Sequence, residues 1–519
     1  MTPDLRAGWR GPSLGVLVAA GLALVVLGTI GVVAWTARGL SGLSSWDLRA
    51  VWFTLWQAAL SATLSVGLAV PVARALARRR FAGRRLLVLL LGAPFLLPSI
   101  VAILGLVAVF GRRGWVNAAL AALGLPEVTI YGWQGVILAH VFFNLPLATR
   151  LLVHGWAAIP TERLRLAASL GFAPRDIGRH LERPMLREIA PGAWLAVFLV
   201  CLTSFTVALA LGGGPRATTV ELAIYQAFRF DADLGRAASL GLVQVIISLA
   251  ALAIAGRVAA PAGFGAGLDR PAELDGPRGW RVPADAAVIG LAAGFLLTPL
   301  ASVMIAGVPR LPALPQSVWL AAGRSVAMAL TSAALTVLLA LPLALALSQG
   351  PARGARRWIE AAGMLPLIAS PLVLGTGLFL VLRHWAATED LAIPVTIGVN
   401  AIMALPFALR ALIPAARTMQ ADYGRLAASL GLRGAARLRY LVLPRLRAPL
   451  GFGAGLAAAL AMGDLGVIAL FGDARNATLP LLLYQLMGRY RMADAAGAAV
   501  LLMGLSFALF WLFDRGGRR

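Results

Sequence analysis

The chain has 519 residues, of which 60% are hydrophobic and only 13% charged. That balance excludes a water-soluble globular domain, which needs far more charged surface. The formal net charge is +24, and every one of the 46 basic residues is arginine. A nucleotide-hydrolysing P-loop needs a lysine on the terminal phosphates, so this chain cannot carry a standard site of that kind; if ATP drives the protein, another subunit binds it. The charges lie between long uncharged runs, which points to basic loops at a membrane surface and not to nucleic-acid binding.

A helix crosses the hydrocarbon core with about 20 apolar residues, because lipid offers no partner for backbone polar groups. In chain order, twelve stretches meet that need: 14–34, 50–73, 86–110, 128–149, 189–212, 237–256, 286–308, 325–348, 361–382, 391–409, 448–472 and 495–513. The first is too long for a signal-peptide core and further spans follow it, so it reads as a retained helix. APFLLPS at 93–99 and LPLIASP at 365–371 predict broken or kinked helices, which membranes tolerate where neighbours or water satisfy the freed groups. Cys201 is the single cysteine and lies in an apolar run, so there is no disulfide framework. The Pro-, Gly-, Arg- and Asp-rich stretch 257–285 reads as a linker between a first six-helix half, 1–256, and a second, 286–519.

Arginine distribution predicts the orientation. Odd-numbered connections carry 12 arginines, whereas the termini and even-numbered connections carry 31. Both termini and the even-numbered connections are therefore expected on the cytoplasmic side.

Two of those connections share the string RLAASLG, at 165–171 and 425–431. At the same offset Leu145-Pro146 matches Leu405-Pro406, Arg150 matches Arg410, and Pro184 matches Pro444. Farther out, SATLSVGLAVPVA (61–73) resembles SAALTVLLALPLA (332–344), and TTVELAIYQ (218–226) resembles TLPLLLYQ (478–485). Six spans per half is an even number, so the duplication predicts two parallel repeats about an axis along the membrane normal. The fold class is thus an all-α polytopic membrane protein of about twelve transmembrane helices.

Each repeated loop has helix-forming composition up to a glycine suited to a left-handed stop, Gly171 or Gly431. A second short helix is expected to follow, with Pro174 near its first turn in the first copy, and to close at Pro184 or Pro444 before the next span. Such a basic helix–turn–helix suits either an interfacial element on anionic lipid or a docking element. Two copies on equivalent halves would suit two identical partner subunits.

The spacing resembles the EAA loop of bacterial ABC importer permeases: E-A-A, three residues, Gly, nine residues, Ile, one residue, Leu-Pro. Arg165-Leu166-Ala167, Gly171, Leu181 and Pro184 fall on that pattern in the first copy, and Arg425-Leu426-Ala427, Gly431, Leu441 and Pro444 in the second. The glutamate is replaced by arginine in both. Two fused six-span halves resemble the ferric-iron and thiamine systems. The stretches SFTVALALGGGPRATTVELAIYQA (204–227) and GDLGVIALFGD (463–473) look like the permease of the thiamine/thiamine pyrophosphate importer. The resemblance implies the type I ABC importer permease fold and no catalytic site in this chain. It also implies two copies of a cytoplasmic ATP-binding subunit, a periplasmic thiamine-binding protein, and residence in a bacterial inner membrane. The loops 161–184 and 421–444 would then couple ATP hydrolysis to transport. On the outer face, 212–228 and 472–487 are expected to form short helices that either touch the binding protein or pack as a lid.

Asp464 is the one acidic residue well inside a predicted span, where charge is costly and usually functional. It is a candidate contact for the cationic thiazolium ring, or else a helix cap or the partner of an arginine. Ser204 is its first-half counterpart, and Asn144 is a further candidate for the substrate pathway or for an interhelical hydrogen bond. No histidines have metal-ligand spacing, and no cofactor is expected. A ferric-iron permease of the same architecture and an ion-coupled secondary transporter are the competing readings.

Overall fold

The computed structural model describes residues 11–37, 43–79, 81–84, 87–88, 97–214, 217–258, 281–349, 353–385, 388–472 and 476–518. Among these residues every regular element is helical. Eleven helices are long and apolar enough to cross a membrane, and a bent pair raises the number to as many as twelve. Each predicted stretch falls on one of them, although most of the third stretch before Leu97 and most of the linker, 259–280, lie outside the described residues. This is an all-α polytopic membrane protein.

Local sequence explains where the helices start and break. Ser44 caps Ser45–Arg78 through a reciprocal pair: its Oγ accepts from Asp47 N at 3.2 Å, and Asp47 Oδ2 accepts from Ser44 N at 2.9 Å. LPLIASP breaks the ninth span as its prolines predict. Gly354–Leu367 and Pro371–Leu382 meet there at 97°, and Ser370 Oγ caps the second piece by accepting from Val373 N.

The chain packs as two compact units, each discontinuous in sequence. One comprises 1–43, 223–245 and 307–519; the other comprises 44–222 and 246–306. The first unit thus contains the first helix of the chain, packed against Gln316–Ser348 and Pro371–Leu382. Small residues permit this: a side-chain carbon added at Gly15 would overlap Ala346 and the Pro342 carbonyl, and one at Gly377 would meet Thr29. Close backbone approach is how helices gain packing in lipid, where no hydrophobic drive brings them together. Phe228, Phe379 and Phe471 form a ring cluster in the same unit, with centroids 4.9–5.5 Å apart. The second unit contains Arg281–Gly307, whose Phe295 packs edge-on to Phe142 at 5.8 Å, while Gly105 leaves room for the Pro299 carbonyl.

Candidate functional site

The two copies of RLAASLG fold alike, bond for bond. In the first, helix Thr161–Ser169 ends with Leu170 N donating to Leu166 O and Phe172 N donating to Ala167 O. In the second, Leu430 N donates to Leu426 O and Leu432 N to Ala427 O. Gly171 and Gly431 take φ of +67° and +65°, the left-handed stop that closes a Schellman-type end. Ser169 and Ser429 each turn their hydroxyl back on the carbonyl of Leu166 or Leu426.

Within each hairpin the motif residues divide the same way. Ala167 and Ala427 are buried, whereas Arg165, Arg425 and both glycines are exposed. Leu166 and Leu170 are 59% and 62% exposed, and Leu426 and Leu430 are 54% and 65% exposed. Four residues apart on a helix, each pair shares one face, so each hairpin offers two leucines beside an arginine. Leu181 is half-buried and Leu441 buried.

The second limb differs from the expected short helix. Pro184 and Pro444 do not close it; they lie in the first turn of Arg183–Leu202 and Leu443–Met462, which run on into the span. Immediately before each proline is a π turn, Gly178–Glu182 and Leu438–Val442. Arg183 N there reaches back to Gly178 O, and Leu443 N to Leu438 O. The wider turn takes up the missing N–H of proline without ending the helix. The approach to the hairpins also differs between copies. The first is preceded by a break after Ala157, whereas the second belongs to an unbroken helix, Thr388–Ser429. Proline at position 160 and glutamine at 420 account for it.

The candidate interior residues sit at helix breaks or within helix packing. Ser204 occupies the junction between Arg183–Leu202 and Phe205–Leu211, and Asp464 the matching junction between Leu443–Met462 and Gly466–Phe471. Asp464 is half-buried. Its Oδ1 accepts from Gly466 N at 3.0 Å, and its Oδ2 is buried with no partner among the described atoms. Asn144 is 2% exposed, and its amide donates to His140 O at 2.8 Å and to Cys201 Sγ at 3.4 Å. His140 Nδ1 lies 3.4 Å from Ser61 Oγ, and Gln57 Nε2 donates to Cys201 O at 3.1 Å. Asn144 therefore belongs to a packed polar string in one unit, while Asp464 keeps an oxygen available in the other.

The segments 212–228 and 472–487 contain the short helices Val220–Arg229 and Leu479–Gly488. Both are held by a feature that the sequence reading overlooked. Val220 N donates to Thr54 Oγ1 at 2.9 Å, and Leu479 N donates to Ser325 Oγ at 2.8 Å. Thr54 and Ser325 stand 271 positions apart, the same offset as the SATLS and SAALT stretches, so the duplication contained the signal. Burial holds the phenols of Tyr225 and Tyr484 above their usual pKa, and Tyr225 raises that of Tyr484 further. Thr54→Val and Ser325→Ala each strand a buried N–H, at a cost of about 1–2 kcal/mol. Both should lower the thermal midpoint of the purified chain, whereas Thr331→Val, at an exposed helical site, should not.

Among the described residues no group of three or more His, Cys, Asp or Glu could hold a metal ion. No family model matches the chain. It is similar throughout its length to curated transport proteins. The thiamine transport system permease protein of Brucella abortus is 40% identical over 533 residues, covering 99% of this chain and 97% of that one. That of Salmonella typhimurium is 40% identical over 535 residues, covering 98% and 97%. That of Escherichia coli is 39% identical over 530 residues, again covering 98% and 97%.

Proposed function

The chain belongs to the thiamine transport system permease family, and from that premise we infer how it carries thiamine across the membrane in an ATP-driven importer. It is the transport subunit and not an enzyme; ATP hydrolysis belongs to a separate partner. The single observation behind the coupling role is the pair of matched hairpins, each with two exposed leucines beside an arginine. Exposed apolar pairs of this kind mark protein contacts. Two copies of one ATP-binding subunit fit two like hairpins, since identical partners need equivalent docking sites.

In this reading the halves 1–256 and 286–519 are parallel repeats joined by 257–285. The hairpins face the cytoplasm with both termini, and the membrane is the bacterial inner membrane. A periplasmic thiamine-binding protein delivers substrate on the opposite face, near Val220–Arg229 and Leu479–Gly488. ATP binding draws the docked hairpins together and biases the permease between two states, as any differential binder must. Uptake of labelled thiamine in a strain lacking the chain should be restored by the wild type with its ATPase and binding protein, and iron uptake should be unaffected. Uptake insensitive to ATP depletion would refute the ATP-driven reading.

Asp464 contacts the thiazolium cation in transit. Asp464 meets backbone N–H groups and the neutral Asn400 amide, with no cation beside it among the described residues, and a carboxylate in a span without a cation attracts a cationic partner. Asp464→Asn should raise the half-saturating thiamine concentration by roughly tenfold with little loss of protein. An unchanged value would leave Asp464 only its capping bond to Gly466.

A further inference from the structure

The two hairpins share their fold but not their attachment. The second continues directly from the long helix Thr388–Ser429. The first is severed from helix Trp133–Ala157 by the turn at Ala158, Ile159 and Pro160, so that helix cannot transmit a push on the hairpin as a rigid rod.

Something else bridges the gap. Glu182, in the π turn of the first hairpin, is 4% exposed. Its Oε1 accepts from Trp156 Nε1 at 3.1 Å, on the last turn before the break. The same oxygen accepts from Arg78 Nε at 3.1 Å and Nη2 at 2.5 Å, and Oε2 accepts from Arg74 Nε at 3.0 Å. Arg74 and Arg78 lie on the last turns of Ser45–Arg78. The adjoining Arg79 pairs through Nε with Asp285 Oδ2 at 2.7 Å, on helix Arg281–Gly307. One buried carboxylate therefore ties the first hairpin to the helix before the break and to Ser45–Arg78, and the same helix end reaches a further helix.

The Glu182 cluster has no counterpart in the second copy, where the second limb is tied to its own helix by one bond to a neutral acceptor, Arg437 Nη2 to Gln420 Oε1. The residues at the matching positions are Ala416 for Trp156, Val442 for Glu182, Leu345 for Arg74, Gln349 for Arg78 and Gln420 for Pro160. Where the helix is unbroken, the carboxylate and its arginines are absent together. An architectural anchor alone would need no more than the single bond that serves the second copy. A mechanical link is wanted only where the helix has been interrupted.

We propose that Glu182 is a positioning residue for transport: it replaces a continuous helix, transmitting movement of the first hairpin to helices Trp133–Ala157 and Ser45–Arg78. The charged form matters, since a carboxylate shared by two guanidiniums and an indole holds a fixed geometry that one neutral bond does not. The two coupling hairpins are consequently unequal, one continuous with its helix and the other attached through an ion-paired joint. This inference rests on the coupling role given above.

The test uses the full chain with its ATP-binding and thiamine-binding partners in proteoliposomes, reading thiamine taken up per ATP hydrolysed. Glu182→Gln should still assemble with the ATPase and hydrolyse ATP, yet its uptake per ATP should fall at least about tenfold, within the usual range of coupling energies. The double variant Glu182→Gln/Pro160→Gln, which copies the unbroken second-half approach, should recover most of that loss. Glu360→Gln, which removes an exposed pair with Arg356 and Arg417, should leave the ratio unchanged. An unaltered ratio in Glu182→Gln overturns the proposal. So does loss of assembly, which would make Glu182 a folding residue, and so does failure of the Pro160→Gln rescue. If the wild-type complex never captures an ATPase, the coupling reading itself fails, and that outcome is visible before any variant is made.

Discussion

Substituting aspartate for Leu166 and Leu426 together is expected to abolish thiamine uptake, with at least a hundredfold loss and no loss of membrane-inserted protein. Both side chains are more than half exposed in the free chain, so neither contributes appreciably to folding. Their value lies in what covers them. A fully buried leucine side chain is worth about 1.5–3 kcal/mol, and a carboxylate forced into the same pocket adds its own desolvation cost. Two such sites, one per hairpin, multiply to about a hundredfold or more. The measurement is co-purification of the ATP-binding subunit alongside uptake. The single variants should each lose part of the binding, and the double variant all of it. Retained binding in the double variant would mean that the exposed leucines face lipid or solvent.

The second large effect is expected at the hairpin glycines. Gly171 and Gly431 hold φ near +66°, where a β-branched residue is strained by about 1–2 kcal/mol or more. A side-chain carbon at either position meets nothing within 4 Å, so the effect is conformational and not steric crowding. Gly171→Val should swing the second limb away from the geometry that Ala167 and Phe172 enforce, cutting uptake at least about tenfold. Gly171→Asn should retain most activity, because asparagine tolerates the left-handed region. Gly431→Val and Gly431→Asn should repeat the contrast. Equal effects of valine and asparagine would show that the turn is not what limits coupling.

Much of this was legible in the sequence because it is written in local patterns. The spans follow from apolar length, and the break at LPLIASP follows from its prolines. The hairpin stop follows from a glycine placed after a helix-forming run. The prolines at 184 and 444 misled, since a proline in the first helical turn resembles a terminator unless the π turn before it is seen. The partners of Glu182 were not legible. Arg74 and Arg78 look like an ordinary positive flank of a span, and their acid lies more than a hundred residues away. The grouping of the first helix with 307–519 was hidden for the same reason. It depends on Gly15 and Gly377 meeting backbone far along the chain, and no periodicity encodes that. The hydroxyl clamps at Thr54 and Ser325 lay between these cases, recoverable only by pairing the two halves at the correct offset.

If an ATP-hydrolysing partner grips both hairpins, cysteines placed on them will cross-link to it. The chain's one native cysteine, Cys201, is buried, so Arg165→Cys and Arg425→Cys would each present a single accessible thiol. In membranes containing the whole transport system, each variant should cross-link to the ATP-binding subunit, with a yield that changes when ATP is trapped. Absence of that cross-link from both positions, in membranes that still take up thiamine, would contradict that grip.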